Sequence, residues 1–285
     1  MLIENLSKDD FPVLLEGVHC TYYLYNGHLH NRKVLVRLHN VEFEYYHQLC
    51  LSTKNVFKKL YYSIESRILK KYEGSIAAKA KLLGISEKDK EVYQNIFGAK
   101  NVEVLPAFLP NDKVTSKTGK GDFCLYHGNL SVAENEKAVL CLLHVFSGMD
   151  FPFIVAGKNP SKFLKGQIEK NKNTELIQNP SNEKMDELIC NAHIHLIPSF
   201  NRTGIKIKLL NALFNGRFVI VNTATVAGTG LESLCIISNN EEEFKRKIEL
   251  LIAISFTQNE IEKRKEILES IFNNGINAQQ LIRLL

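Results

Sequence analysis

The feature that most limits the fold of this chain is an alternation. Short apolar runs suited to strands are followed by amphipathic helical stretches through most of the length. Such a pattern gives βαβ units, and hence parallel sheets with helices on their faces. The expected strands begin at Pro12–Glu16 and Lys33–Leu38. A helical region follows from about residue 56 to 79, with Phe57, Leu60, Tyr61, Ile64, Ile68 and Leu69 at helical spacing. A strand at Lys81–Ile85 leads to Ser86, a helix cap for Glu87–Phe97, and then to a strand at Val102–Leu105. Pro106, Pro110 and the polar run Asn111–Gly121 read as an interdomain linker.

A more complete unit begins at Asp122. Its expected strands are Phe123–His127, Phe153–Ala156, Glu175–Gln178, Ile194–Ile197, Phe218–Val221 and Cys235–Ile237. Its expected helices lie near Glu134–Phe146, Ser161–Lys170, Asn182–Asn191, Lys206–Phe214 and Glu241–Ala253, and Ile261–Phe272 and Ala278–Leu285 close the chain. A length of 285 residues suits two domains of ~100–200 residues each. The expected division is 1–110 and 111–272, with a final helix, 273–285, that packs back on the first domain. The fold class expected is α/β with two Rossmann-like domains. The second is a full sheet, whereas the first shows only about four strands.

Hydrophobic residues make up 45% of the chain and charged residues 24%, the profile of a globular protein. The net charge of +5 is too small to mark a nucleic-acid binder, and none is expected as a partner. It suits an anionic ligand such as a nucleotide diphosphate. Lys58, Lys59, Arg67, Lys70, Lys71, Lys79 and Lys81 cluster in one helical stretch. That is either a solvated helix face or a surface for acidic lipid or a lipid-linked acceptor. Six cysteines lack any CxxC pair, so there is no zinc or redox signature, and a reducing cytosol is the simplest compartment. The first residues lack the pattern of a signal peptide, and no window approaches ~18 uninterrupted apolar residues. The expected location is the cytoplasm, free or held peripherally at the inner membrane face.

Three stretches of the second domain carry a family resemblance. Ile194-His195-Leu196-Ile197-Pro198-Ser199 is followed by Thr203-Gly204-Ile205-Lys206-Ile207-Lys208 and, further on, Gly216-Arg217-Phe218-Val219-Ile220. Tyr126-His127-Gly128-Asn129-Leu130-Ser131 precedes Lys137, and Ile154-Val155-Ala156-Gly157-Lys158 ends a strand. In the first domain Val36-Arg37-Leu38-His39-Asn40-Val41-Glu42, Glu16-Gly17-Val18-His19, Gly84–Asp89 and Val104-Leu105-Pro106 add weaker matches. In order and spacing the chain resembles retaining nucleotide-sugar glycosyltransferases of the GT-B fold, the group 1 or family 4-like enzymes of bacterial surface-polysaccharide synthesis. The resemblance runs from about Leu14 to Leu250. It implies sugar transfer from a nucleotide-diphosphate donor to a glycan or lipid-linked saccharide, with retention, without metal and without a further cofactor. No compact Asp-x-Asp triplet is present.

Residue by residue, the resemblance implies a donor site at Gly128, Asn129, Ser131, Lys137, Lys158, Asn179, Thr203, Gly204, Ile205, Lys206 and Asn211. A strand that feeds a glycine turn and a helix amino terminus makes an anion seat on its own physics. His39 and Lys208 are the expected catalytic pair, and Glu16, His19, Asn40 and Glu42 the expected acceptor side. His39 contacts the transferred sugar or its phosphate, or is an ordinary loop histidine; Glu16 and Glu42 orient the acceptor, or are simply exposed. His193 and His195 read as packing residues, and His127 as lining the cleft. Gly228 and Gly230 form a loop over the donor, or a plain turn.

The chain also departs from the family. Thr203 and Asn211 stand where the family often has two glutamates, and Asn129 where it has an arginine. Lys206, Lys208 and Lys137 are the candidates to restore the lost charge. The strand expected to open the first domain, with its glycine-rich turn, is missing, which leaves an apolar edge. Either the sequence is a fragment or a partner chain supplies strands. A degenerate sugar-nucleotide or glycan-binding module is the competing reading. An NAD enzyme would need Gly-x-Gly-x-x-Gly after a strand, and a response receiver clustered acids at strand ends; neither pattern occurs.

Overall fold

In a computed structural model, residues 2–53, 55–110 and 112–285 are described; Met1, Lys54 and Asn111, the first residue of the expected linker, lie outside them. The chain divides into two compact units, Met1–Leu109 with Phe272–Leu285, and Pro110–Ile271.

The first unit runs α1 (Leu2–Leu6), β1 (Val13–Glu16), α2 (Tyr22–Tyr25), β2 (Val34–Arg37), α3 (Glu42–Ser52), α4 (Val56–Ala77), β3 (Lys81–Gly84), α5 (Glu87–Phe97) and β4 (Val102–Val104). Its four strands pair in parallel in the order β1-β2-β3-β4. Alternation places Val36, Leu38 and Leu82 on one face, packed with Ile76 of α4 and Tyr93 of α5. Leu35, Leu83 and Leu105 fill the other face beneath Leu281 and Leu284 of the helix Asn274–Leu284. Among the described residues β1 pairs only with β2, and its residues are half-buried or exposed.

Helix α5 begins as the sequence predicts: Ser86 Oγ accepts from Asp89 N at 3.2 Å, and Gly98 closes it at φ 63°. Helix α3 was not anticipated as a separate element. Its first turn has no side-chain cap of its own. Instead Glu73, from α4, accepts from Glu42 N and Phe43 N, each at 3.0 Å. That capping group lies 30 residues on from Phe43, outside any local pattern.

The second unit contains β5 (Cys124–Asn129), α6 (Ala133–Val145), β6 (Phe153–Lys158), α7 (Lys162–Ile168), β7 (Thr174–Gln178), α8 (Asn182–Asn191), β8 (Ile194–Ile197), α9 (Ile207–Asn215), β9 (Phe218–Val221), α10 (Thr223–Val226), β10 (Ile236–Ile237), α11 (Glu241–Ile252) and α12 (Gln258–Ile271). The six parallel strands lie in the order β10-β9-β8-β5-β6-β7. That is the doubly wound Rossmann order, with its switch point between β5 and β8. β8 and β9 are buried throughout, as strands covered on both faces must be.

The expected linker is not loose. Thr115 N bonds Phe214 O at 2.8 Å, and Gly119 pairs with Phe256, so the run lies along the second unit. Strand β10 omits Cys235 because the 3-10 turn Glu232–Leu234 ends only there. His193 and His195 are fully buried, and so is His127 at 4% exposure, which corrects its placement at a cleft surface. Burial pushes the His127 imidazole down to about 3, with Lys208 adding to the effect.

Candidate functional site

In an open parallel sheet, ligands bind beyond the carboxyl ends of the strands at the switch point. In the second unit that position is bounded by the turn from β5 into α6 and the loop from β8 into α9. Helices α5, α7, α8 and α11 all carry a side-chain cap, from Ser86, Ser161, Ser181 and Asn240. Helices α6 and α9 carry none. At the two helices of the switch point, then, no cap side chain takes a first-turn N–H, which suits an anion.

Both turns are held by one carboxylate. Glu134, in the first turn of α6, accepts from Ser199 Oγ at 2.5 Å, Phe200 N at 2.9 Å and Asn201 N at 3.0 Å. Asn201 Oδ1 then accepts from Thr203 N and Thr203 Oγ1, and Lys206 Nζ donates to Thr203 O. Gly204 follows at φ 62°, a backbone state that favours glycine.

Lys208 reaches over Gly128 to the far side of β5, its Cδ 3.9 Å from where a Cβ at 128 would stand. There Lys208 Nζ donates to Tyr126 Oη at 2.9 Å and Asn135 Oδ1 at 2.8 Å. Asn135 Nδ2 donates back to Asn129 O at 2.8 Å, and Asn129 Oδ1 accepts from Ser131 N and Oγ. Burial pushes the Lys208 ammonium down to about 8, against the opposing pull of Glu134. The next strand adds a tight contact: Gly128 pairs with Gly157, where a Cβ would run into the Gly128 carbonyl.

The structure therefore brings together Gly128, Asn129, Ser131, Thr203, Gly204, Ile205, Lys206 and Lys208. Lys137 is on α6 with its Nζ 3.9 Å from the Phe200 ring centroid. Asn211 lies one turn past Lys208 on α9. Lys158 ends β6 with an exposed side chain, in register with Asn129. Asn179 sits after β7 at φ 48° and accepts from Asn159 N at 3.0 Å, away from the hydrogen-bonded cluster. Sequence reasoning missed Tyr126, Glu134, Asn135, Ser199 and Asn201 as site residues. Tyr126 and Ser199 stood inside the quoted motifs, but Tyr126 reads as strand core, and Glu134 stood only as the start of an expected helix.

At the strand ends of the first unit, His39 Nε2 lies 2.9 Å from Glu16 Oε2, and Arg37 Nη1 3.7 Å from Glu16 Oε1. Arg37 also donates to Pro106 O at 3.0 Å and stacks over Phe108. His19 and Glu42 approach to 3.8 Å, while Asn40, next to His39 in sequence, is half-buried. Below this, Tyr93 Oη donates to Glu73 at 2.6 Å. Burial raises the Glu73 carboxyl to about 7, against these hydrogen bonds. Among the described residues no group of three or more His, Cys, Asp or Glu could hold a metal, and no helix is long and apolar enough to cross a membrane.

Two parallel α/β sheets, the second in the doubly wound order, define a pair of Rossmann-like units. Residues 121–253 match the family model described as Glycosyl transferases group 1. The chain is 28% identical over 290 residues to an uncharacterized 44.6 kDa protein in the cps region of Klebsiella pneumoniae, a match covering 94% of this chain and 71% of that one. The solved structure of TarM superposes with a TM-score of 0.72 at 14% identity, over 99% of this chain and 57% of TarM. Anabaena HepE, solved with UDP and glucose, gives 0.69 at 12% identity, over 99% of this chain and 79% of HepE. The chain thus spans little more than half of TarM's length. These likenesses show the GT-B fold, and residues 121–253, within the second unit, match the group 1 glycosyltransferase model.

Proposed function

We propose that this chain is a glycosyltransferase that takes a sugar from a nucleotide-diphosphate donor and passes it, with retention of configuration and without metal, to a glycan or lipid-linked saccharide. The observation that carries this reading is the junction of two uncapped helix amino termini with Lys208 at the switch point. Sugar transfer needs the departing diphosphate stabilised as it gains charge. Lys208, Lys206 and the first turn of α9 supply that charge where the family has an arginine and this chain has Asn129. A preorganised lysine held by Tyr126 and Asn135 needs little rearrangement to receive the phosphates. His39, with Glu16 behind it, is the group offered to the sugar on the first unit. Glu16, His19, Asn40 and Glu42 line the acceptor side. The cps-region relative supports polysaccharide biosynthesis as the setting.

A binding module without turnover is the second reading. It is favoured by Thr203, whose hydroxyl is taken by Asn201, and by the uncharged Asn129 and Asn211. A thermal-shift panel of UDP, GDP, ADP and their sugar conjugates, run with a chelator, tests both. A ligand that binds the native state raises the melting temperature. A shift with one diphosphate family, lost in Lys208→Ala, supports the donor site, and release of nucleotide from its sugar conjugate then supports the transferase. A shift with no release leaves the module. No shift with any nucleotide, from a chain that melts cooperatively, overturns both.

A further inference from the structure

The outward face of α4 is apolar. Phe57, Leu60, Tyr61, Ile64 and Ile68 recur on one side at helical spacing and are 86%, 61%, 53%, 48% and 55% exposed. The opposite side, with Ser66, Leu69, Glu73 and Ile76, is the one buried in the unit. A helix with one face in water normally carries polar residues there; here the exposed face carries an apolar stripe. A contiguous exposed apolar stripe rimmed by polar groups marks an interaction surface. From Phe57 to Ile68 it extends ~16 Å, at ~1.5 Å per residue.

The charge around the stripe says what covers it. Lys58, Lys59, Arg67, Lys70 and Lys71 are exposed along the same helix. Glu65 is the partly exposed carboxylate among them, Glu73 being buried. Lys70 also stands 5.3 Å from the Phe43 ring centroid. A second copy of the stripe would set two cationic borders against each other, and like charges across an interface are unfavourable. A bilayer bearing anionic headgroups meets both demands: the apolar side chains enter the acyl boundary while the lysines and Arg67 stay at the phosphates.

We propose that α4 docks the first unit, in the plane of the interface, on an anionic lipid bilayer. Ser66 Oγ donates to Phe43 O at 2.8 Å, which ties the Ile68 end of the stripe to the first turn of α3, beside Glu42. A lipid-linked acceptor would therefore be presented next to the acceptor-side residues. That last step rests on the transferase reading; the docking does not.

The test is flotation of the full chain with vesicles of phosphatidylcholine alone or mixed with phosphatidylglycerol. Binding is expected to the mixed vesicles, weakened by salt, and absent from phosphatidylcholine. The double variant Phe57→Ser/Ile64→Ser is expected to lose at least about tenfold in binding, since two large apolar side chains no longer enter the interface. Both positions are exposed, and an unchanged melting temperature confirms that the variant is folded. Flotation without a nucleotide shift would leave the docking standing and overturn the donor site alone. No flotation with anionic vesicles, flotation that the variant retains in full, or a stable dimer that the variant dissolves would each overturn the docking.

Discussion

Each unit uses one carboxylate to fix the backbone after a strand, yet the two strand ends finish differently. In the first unit Glu73 accepts from Glu42 N, Phe43 N and Tyr93 Oη; in the second, Glu134 accepts from Ser199 Oγ, Phe200 N and Asn201 N. Beyond Glu134 the hydrogen bonding continues through Asn201 and Thr203 to Lys206, and Asn135, the next residue on α6, holds a largely buried cation, Lys208. Above Glu73 it stops, and the outermost pair, Glu16 and His39, is 48% and 58% exposed. The lesson is that the same anchoring device can serve a fixed charge site or an adaptable rim. A fixed, desolvated cation suits a diphosphate of constant geometry. Exposed side chains in high dielectric suit a partner that brings its own contacts.

The largest effect should come from Glu73. Glu73→Ala strands three donors, two of them buried at ~1–3 kcal/mol each, so urea unfolding should show a loss of about 3–4 kcal/mol. Its folded-state carboxyl titrates near 7 rather than 4.5, so the protonated form is the one the fold favours. The stability it contributes is present below about 4.5 and is lost as pH rises through about 7. Glu73→Gln should flatten that slope between those limits. A slope unchanged by the substitution would remove Glu73 from the comparison.

Glu134→Ala is the matching change in the second unit. Glu134 is half-buried where Glu73 is fully buried, so a smaller stability loss of about 2 kcal/mol is expected. Unlike Glu73→Ala, it should also abolish the nucleotide-induced rise in melting temperature, because the loop that carries Thr203 to Lys206 loses its anchor. Full retention of the nucleotide response would show that Glu134 serves only the fold.

Lys208→Met separates charge from packing. Removing a charged donor from the diphosphate should weaken nucleotide affinity by about 10- to 100-fold, the equivalent of ~1.5–3 kcal/mol. Stability should hold or rise slightly, since a buried charge is removed along with its desolvation cost. In the unaltered chain, affinity measured by calorimetry should fall as pH rises through about 8, where the free Lys208 ammonium loses its proton. An affinity flat from pH 7 to well above 8 would place the phosphates elsewhere.

These effects also show where sequence reasoning reaches and where it stops. The six-stranded sheet was legible because β9 is a wholly apolar run, and β8 is apolar but for His195, each between helical stretches. Helix α5 was legible because Ser86 and Gly98 mark its ends. Helix α3 was not, because its cap is Glu73, thirty residues from Phe43. One signal was available: Glu73 falls on the Leu69–Ile76 face of α4, an acid on a buried stripe. Helices α1 and α2, of five and four residues, are too short for any periodicity to show. At the candidate site, Lys208 stood out by its place after Gly204. Its partners Tyr126 and Asn135 lie 82 and 73 residues away, and only the parallel sheet brings them to its ammonium.

The smallest effect on the fold, and the sharpest test of the contrast, belongs to His39. An exposed pair such as His39 and Glu16 contributes little to folding, so His39→Gln should change stability by less than about 0.5 kcal/mol. It should leave the nucleotide response of the second unit unchanged, because His39 bonds to Glu16 and to none of Glu134, Lys206 and Lys208. If the first unit's rim touches the sugar, the same variant should slow sugar release or transfer from the donor while nucleotide affinity stays constant. A variant that transfers at the full rate would reduce His39 to a loop histidine satisfied by Glu16. One that loses nucleotide affinity as well would erase the distinction between a fixed donor seat and an open acceptor rim.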